Sequence, residues 1–404
     1  MRATRRPAAP AVPVDDVGPT RHDVIVRPAP IAMVWQGADT AHAAIAVPGV
    51  SLGPGDVLVA VELATVCPAD AATVRGNGAV KVPLVLGHEQ VGRIAAIGGS
   101  AETADGARLI VGMRVVWSRR IGCGSCDACL AGSPSGCATA REYGADRLRR
   151  GWELSGGFAT HVLVRSGTAI FPVPEVVPAA VLAPVPCATA LAAAAVEGVL
   201  VATEVDGEDV VVLGADLVGL TAAAMLADEG ARVIVVDADR ARRARAHAFG
   251  AAAAVADVAG IVSSGRPIVA VVDAAPAPRA RPDRADSEVH DCCDRAAELV
   301  GGGVLARIVH LHGAPAATHR PSRRSIDSAP DPVADGAARD RVLLVDRPDP
   351  RHLAAAVAFV SNAWYRYPLE DLVSVRYPLE RLDDALRAAA EGPALRVGVE
   401  TSAR

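Results

Sequence analysis

The sequence predicts an α/β protein made of a β-rich unit followed by a doubly wound parallel sheet, and three observations predict it. Between Ile31 and Val66, the apolar runs IAMVW and DVLVAVELATV flank the turn segment GVSLGPGD, which is the punctuation of antiparallel strands. From Cys187 onward, alanine-rich helical stretches alternate with wholly apolar strands, the mark of a parallel sheet covered on both faces. Within that second region VVLGADLVGL, residues 211–220, runs from a strand through a glycine turn into the helical TAAAMLADEG.

In chain order, residues 1–27 are rich in Pro, Ala and Arg without periodicity and read as a mobile tail. After Val66, further strands are expected at GRIAAIG, RVVWS and FATHVLV. The parallel strands are expected at DVVVLGA, ARVIVVDA, PIVAVVDAA and VLARIVHL. Two polar segments, near 276–291 and 313–340, interrupt the alternation and read as solvated surface insertions. HLAAAVAFVSNAW then reads as a helix, and LVSVRYPLERLDDALRAAAEG as strand, turn, helix. No internal repeat is evident.

Composition narrows the function. A chain of 404 residues with 51% hydrophobic content has ample interior to bury. Aromatics at 3% and a net charge of -5 argue against a nucleic-acid partner. The N-terminus has arginines but no apolar core of a secretory signal, so a cytoplasmic address is expected. The most apolar segment, Cys187 to Ala202, is broken by Glu197 and Gly198 and is too short for a membrane span. In a cytosolic chain, eight cysteines point to metal or catalysis before disulfides.

Four of them cluster in IGCGSCDACLAGSPSGC: Cys123, Cys126, Cys129 and Cys137. Two C-x-x-C steps place three sulfurs around one turn of loop, and the small residues after Cys129 let the fourth return. That suits a closed tetrahedral zinc site, which is structural because no position is left for substrate. Redox thiols are the plainer alternative. Cys292 and Cys293 are adjacent on an expected helix, where neighbouring side chains diverge by about 100°, and read as structural or incidental.

This cysteine cluster lies between a GHE motif and the glycine turn, and with them the chain resembles the medium-chain zinc alcohol dehydrogenases from about residue 30 to 400. WELSGGFATHVLVRSGTAIFPVP, PVPCATA and RYPLEDLVSVRYPLERLDDA resemble the dehydrogenases associated with phosphonate gene clusters; zinc dehydrogenases acting on cyclitols are the second likeness. The resemblance implies a GroES-like catalytic unit over 28–187, completed by 349–404, and a Rossmann NAD-binding unit over 188–348. It implies a catalytic zinc held by Cys67 of ATVCPADAATVRG, His88 of LGHEQVGRI and Cys187 of PVPCATA, in addition to the structural zinc. Asp70 is then expected to hydrogen-bond His88, and Glu89 to lie beside the metal as an alternative or transient ligand. A small-molecule substrate and a homo-oligomer, dimer or tetramer, are also implied. Taken singly, the two cysteines read as buried apolar thiols and the histidine as a satisfied core residue.

The departures are specific. Where many relatives carry a Ser or Thr and then a His that pass the substrate's proton to solvent, this chain has Ala69 and Ala72, and neither can carry a proton. Water, a cofactor hydroxyl, Thr73 or the substrate itself would have to deliver it. In the G-x-G-x-x-G frame, Gly214 and Gly219 keep the outer places, followed at the helix start by Leu217 and Val218, but the middle place is Asp216. Aspartate tolerates left-handed backbone, so the turn is expected to survive, with weakened cofactor affinity unless the carboxylate points away or is paired. Asp237, ending ARVIVVD, is placed to accept from the adenosine ribose hydroxyls, which favours NAD over NADP; arginines 240, 242 and 243 are the counterweight. Three readings follow: a zinc-dependent alcohol/carbonyl oxidoreductase, a reductase of activated C=C bonds on the same fold, and a non-catalytic relative that keeps only the structural zinc.

Overall fold

The structure is a computed structural model that describes residues 21–401 apart from 39, 77–79, 262–265, 276–303, 309–340 and 346, with backbone only at 304–308, 341, 342 and 344. Cys292, Cys293 and both polar insertions lie outside the described residues. Of the stretch expected to be a structureless tail, His22–Ile25 instead forms a strand paired antiparallel with Gly49–Leu52. Four residues at the edge of a sheet are too short a run to stand out from an aperiodic sequence.

The β-rich part is organised by the strand Val57–Val66, buried along most of its length. It pairs antiparallel with Glu89–Ile97 on one side and with Arg396–Glu400 on the other, and His161–Val164 also pairs with it. The sheet continues through Arg114–Trp117 to Ile170–Pro172 and, at its other edge, to Val373–Pro378. The C-terminal strands thus belong to the same sheet as the first half of the chain. Trp117, Phe158 and Leu58 lie wholly buried in its core.

The second sheet is parallel throughout, in the spatial order Ala253–Val255, Arg232–Val236, Asp209–Leu213, Ile268–Asp273, Val304–Ile308, Arg341–Val345. In chain order that is 3-2-1-4-5-6, whose switch point lies at the end of the first strand, the place where doubly wound sheets bind ligands. Val210, Val212, Val233, Val235 and Val272 are fully buried, and each such side chain contributes about 1.5–3 kcal/mol over exposure. With so few aromatics, alanine lets the helices approach closely: Ala222, Ala223 and Ala224 of the helix Leu217–Asp228 have no exposed surface.

A single apolar cluster runs from Cys67 and Val91 through the helix Ala190–Ala202 to Val210 and Val233, joining the two sheets. The helical stretch Ala179–Ala202 has the length and composition of a membrane span, but 94% of its most apolar window is buried within the fold.

Candidate active site

Three elements deliver Cys67, His88 and Cys187 to one point. Cys67 follows the strand Val57–Val66 and opens the helix Pro68–Val74, where Pro68 sets the first helical φ at no hydrogen-bonding cost. Asp70, in the first turn of that helix, reaches back to accept from the Cys67 N–H at 3.0 Å. His88 sits just before Glu89–Ile97, after Gly87 at φ 94°; a Cβ there would meet the Phe158 nitrogen at 2.8 Å, so only glycine allows the bend. Cys187 rides on a π-helical turn, Val185–Thr189, whose Thr189 N–H reaches back to the Pro184 carbonyl at 3.4 Å. Such turns widen a helix locally and often mark functional positions. This one packs against Glu89–Ile97 and against the helix Leu217–Asp228.

The donor atoms of Cys67, His88 and Cys187 lie within 4.8 Å of one another, and the residues are 2%, 1% and 6% exposed. His88 Nδ1 faces Asp70 Oδ1 at 3.3 Å, while Nε2 is buried without a protein partner. A buried ring nitrogen left unpaired, with its opposite nitrogen held by a carboxylate, is the arrangement of a metal-ligating histidine. Burial and Arg119 oppose a positive charge on His88, yet Asp70 and Cys67 outweigh them and push its pKa up to about 10. A hydrogen bond with Cys187, then burial, raises the Cys67 thiol well above its usual range. Surroundings that stabilise one positive charge at the imidazole and disfavour bare thiolates suit a divalent cation, and two sulfurs and one nitrogen suit zinc with a fourth position open.

Glu89 is not among these donors. Its Oε2 accepts from Thr65 Oγ1 at 2.7 Å and from Arg396 Nε at 3.2 Å, so the carboxylate expected beside the metal is engaged in a fully buried ion pair. Its Oε1 and Arg396 Nη2 are buried and unpartnered. The charges of Cys67, Asp216 and Cys187 all act on Arg396, so this guanidinium is within electrostatic reach of both the three-donor pocket and the glycine turn. Sequence reasoning missed Arg396, Thr65 and Arg119; the register that brings them in was their only signal. Ala69 packs against the apolar cluster, and Ala72 and Thr73 are buried.

The four-cysteine loop assembles around the short helix Asp127–Leu130. The four sulfurs lie within 4.8 Å of one another, and Cys123 Sγ is 3.9 Å from Cys129 Sγ. A regular tetrahedron with ~2.3 Å zinc–sulfur bonds has edges of roughly 3.8 Å. Backbone N–H groups of Cys126 and Cys123 donate to the sulfurs of Cys123 and Cys137 at 3.4 Å each. At Gly122 a Cβ would lie 2.6 Å from Cys129 Sγ, so the loop closes only around glycine. Ser133 Oγ and the Ser135 N–H donate to Asp349, which precedes the helix Pro350–Ala363.

At the glycine turn, Gly214 has φ 91° and a Cβ would meet the Ala275 nitrogen at 2.9 Å; one on Gly219 would overlap the Gly214 carbonyl. Asp216 departs from expectation. Its backbone is extended, at φ -82° and ψ -174°, not left-handed, because it caps the helix Leu217–Asp228: its carboxylate accepts from the Gly219 N–H at 3.0 Å. A capping carboxylate thus occupies a donor at the helix end where a pyrophosphate binds. Leu217 and Val218 are buried in the first turn. Asp237 accepts from the Ala215 and Asp239 N–H groups at 2.8 Å each, which fixes the turn and leaves further lone pairs. Arg242 Nη1 lies 3.9 Å from it, whereas Arg243 donates to the Asp237 and Ala238 carbonyls.

Comparison with known proteins bears on the fold that carries these residues. Residues 53–175 match the alcohol dehydrogenase GroES-like domain family, and residues 209–354 match the FAD binding domain family. An L-threonine 3-dehydrogenase of Aeromonas hydrophila subsp. hydrophila is 31% identical over 217 residues, which cover 52% of this chain and 57% of that protein. The chain thus spans little more than half the length of the curated relatives it matches. Among solved structures, an alcohol dehydrogenase from Thermotoga maritima superposes with a TM-score of 0.74 at 24% identity, covering 92% of this chain and 99% of its own. A putative zinc-binding dehydrogenase from Sinorhizobium meliloti 1021, bound to NADP, gives 0.69 at 21% identity over the same shares. At these identities the likeness is one of fold, and the fold is that of the alcohol dehydrogenases: a GroES-like unit joined to a doubly wound α/β sheet.

Proposed function

We propose that the protein is a zinc-dependent dehydrogenase of the medium-chain alcohol dehydrogenase type, transferring hydride between NAD(H) and a polar alcohol or its carbonyl counterpart. The observation that carries this reading is the buried Cys67–His88–Cys187 pocket, with His88 Nε2 unpartnered and Asp70 behind the ring, packed on the helix that follows the glycine turn. The GroES-like match and the threonine dehydrogenase relatives support it. The FAD-domain match falls on the parallel sheet, whose first strand, turn and helix serve both dinucleotides. On this reading residues 28–187 with 349–404 form the catalytic unit and 188–348 the coenzyme unit. The protein would act on a small molecule as a cytoplasmic homo-oligomer carrying two zinc ions per chain, the second in the four-cysteine loop.

Held by the three donors, zinc would supply a Lewis acid toward the substrate oxygen, and the nicotinamide would carry the hydride. The chain's own residues do the rest. Asp70 fixes the His88 ring through Nδ1 and the Cys67 backbone through its N–H, so one carboxylate positions two donors. Burial of all three donors keeps water from the pocket wall. Gly214 and Gly219 let the backbone close on the coenzyme, and the Asp237 carboxylate, by repelling a 2′-phosphate, favours NAD. At Ala69 and Ala72 no side chain moves a proton, so it passes through solvent, the coenzyme, Thr73 or the substrate.

Those alanines also favour a second reading, reduction of an activated C=C bond; product analysis with an enone separates the two. The Asp216 cap favours a third, a non-catalytic relative. Metal content and NADH titration on one preparation decide the matter: two zinc ions and micromolar NADH binding are expected, whereas zinc in the loop alone and no NADH binding would overturn the enzyme reading.

A further inference from the structure

Beside the metal pocket stands a guanidinium to which hydride transfer gives no task. Arg119 comes two residues after the strand Arg114–Trp117, which packs against the π-helical turn carrying Cys187. Its backbone is fixed there by the Tyr143 N–H, which donates to its carbonyl at 3.0 Å. Cys187, Cys67 and Asp70 are among the groups whose charges act on Arg119, and its own charge acts on His88, so with its strand packed on the turn of Cys187 the residue lies near the donors.

The head group is under-used. Among the described residues its one ion pair is with Glu142, long at 3.4 Å, and Nε is buried without a partner. Glu142 is shared: Arg120 Nε lies 3.2 Å from its other oxygen, and Arg347 acts on it as well. Arg120 also donates to the Ser135 and Cys137 carbonyls, so Glu142 is held by Arg120 as well as by Arg119. The Arg119 side chain is nonetheless 28% exposed, so it is within reach of an incoming molecule. A guanidinium offers five donors in a planar fork that fits a carboxylate or phosphoryl group bidentately, and a buried donor left unpaired is unfavourable. A neutral alcohol would leave it so.

We propose that Arg119 binds an oxyanion on the substrate, so that the protein acts on hydroxy or oxo compounds carrying a carboxylate, phosphate or phosphonate a few bonds from the reacting carbon. This rests on the dehydrogenase reading of the Cys67–His88–Cys187 pocket, and it names the substrate class that the pocket takes.

The test is calorimetric binding of three non-reacting probes, methylphosphonate, propionate and neutral propionamide, to the zinc-loaded full chain. At least one anion is expected to bind tenfold or more tightly than propionamide. Arg119→Leu and Arg119→Gln should remove that preference, and Arg119→Lys should keep part of it. Which anion binds more tightly identifies the oxyanion. Equal anion binding in wild type and in a folded Arg119→Leu or Arg119→Gln protein would overturn the proposal, as would anion binding that depends on zinc alone. Because the readout is binding, failure to oxidise any alcohol would count against the dehydrogenase reading while leaving Arg119 separately judged.

Discussion

The chain gathers thiols twice, and the two gatherings are opposites. The Cys123–Cys137 loop is local, largely accessible and supplied with its own hydrogen-bond donors: contacts from Ser125 and Cys126 pull the exposed Cys123 thiol down to about 5. The Cys67–His88–Cys187 pocket is assembled from three distant elements and fully buried, and there the partner thiol and burial push Cys67 upward. On the zinc reading, a loop whose N–H groups already stabilise charge at Cys123, although Cys129 is pushed up to about 11 against the Gly124 backbone hydrogen bond by burial and its neighbouring thiols, would close on its metal and leave no position for substrate. On the same reading, a pocket that leaves its sulfurs and an imidazole nitrogen uncompensated would depend on a cation, and a three-donor set would keep a position for substrate.

The largest effect should come from removing the pocket's nitrogen. His88→Ala is expected to lower the zinc content from two per chain to one and to reduce kcat/KM by at least ~10³-fold with little change in thermal stability. Cys126→Ser should do the reverse, removing loop zinc and lowering Tm while the folded fraction keeps its kcat. Zinc analysis, melting curves and kinetics on both variants check this; equal activity losses would erase the distinction between the sites.

The same contrast explains what could be read from sequence. The loop cysteines were legible because their geometry is fixed by spacing within a single turn of chain. Cys67, His88 and Cys187 were legible only as three motifs side by side. Arg396 was not, since almost all of the 41 basic residues are arginine and nothing local marks this one. Its role comes from register: Thr65 pairs with Glu89 on one side and with Gly398 on the other, so three adjacent strands bring Thr65, Glu89 and Arg396 together. The pairing of Glu89 with Arg396 was hidden for the same reason, although Glu89 does lie close enough for its charge to act on Cys67. The parallel sheet was legible in its apolar runs, but the strand His22–Ile25 was not, because its pairing partner and not its own pattern makes it a strand.

Burial without compensation should also show in the ion pair behind the pocket. Arg396→Met leaves the Glu89 carboxylate buried and bonded only to Thr65, and is expected to cost about 3–5 kcal/mol of stability. The double variant Arg396→Met, Glu89→Gln should recover much of that loss in denaturant melts. No recovery would mean that the pair is not coupled. A smaller effect belongs to Asp70→Asn, which keeps the shape but removes the charge behind His88: pocket zinc affinity should fall by about 10–100-fold in chelator competition, with loop zinc unmoved.

The mildest test concerns the turn between the strand Asp209–Leu213 and the helix Leu217–Asp228, where Asp216 does for a helix what Ser125 and Cys126 do for Cys123: it pairs a charge with an N–H. The pairing satisfies the Gly219 donor, but on the dehydrogenase reading it would place a carboxylate where the coenzyme's phosphates approach. In Asp216→Gly the cap is lost at a cost of a few tenths of a kcal/mol, because glycine is itself a tolerated cap. The freed N–H and the positive helix end then face the coenzyme without an opposing charge, and NADH binding should tighten by about fivefold. Asp216→Asn keeps the cap and removes only the charge, so it divides the effect between repulsion and the occupied donor. Fluorescence titration of NADH against all three proteins reads the difference, and identical affinities would mean that coenzyme binds clear of this helix end.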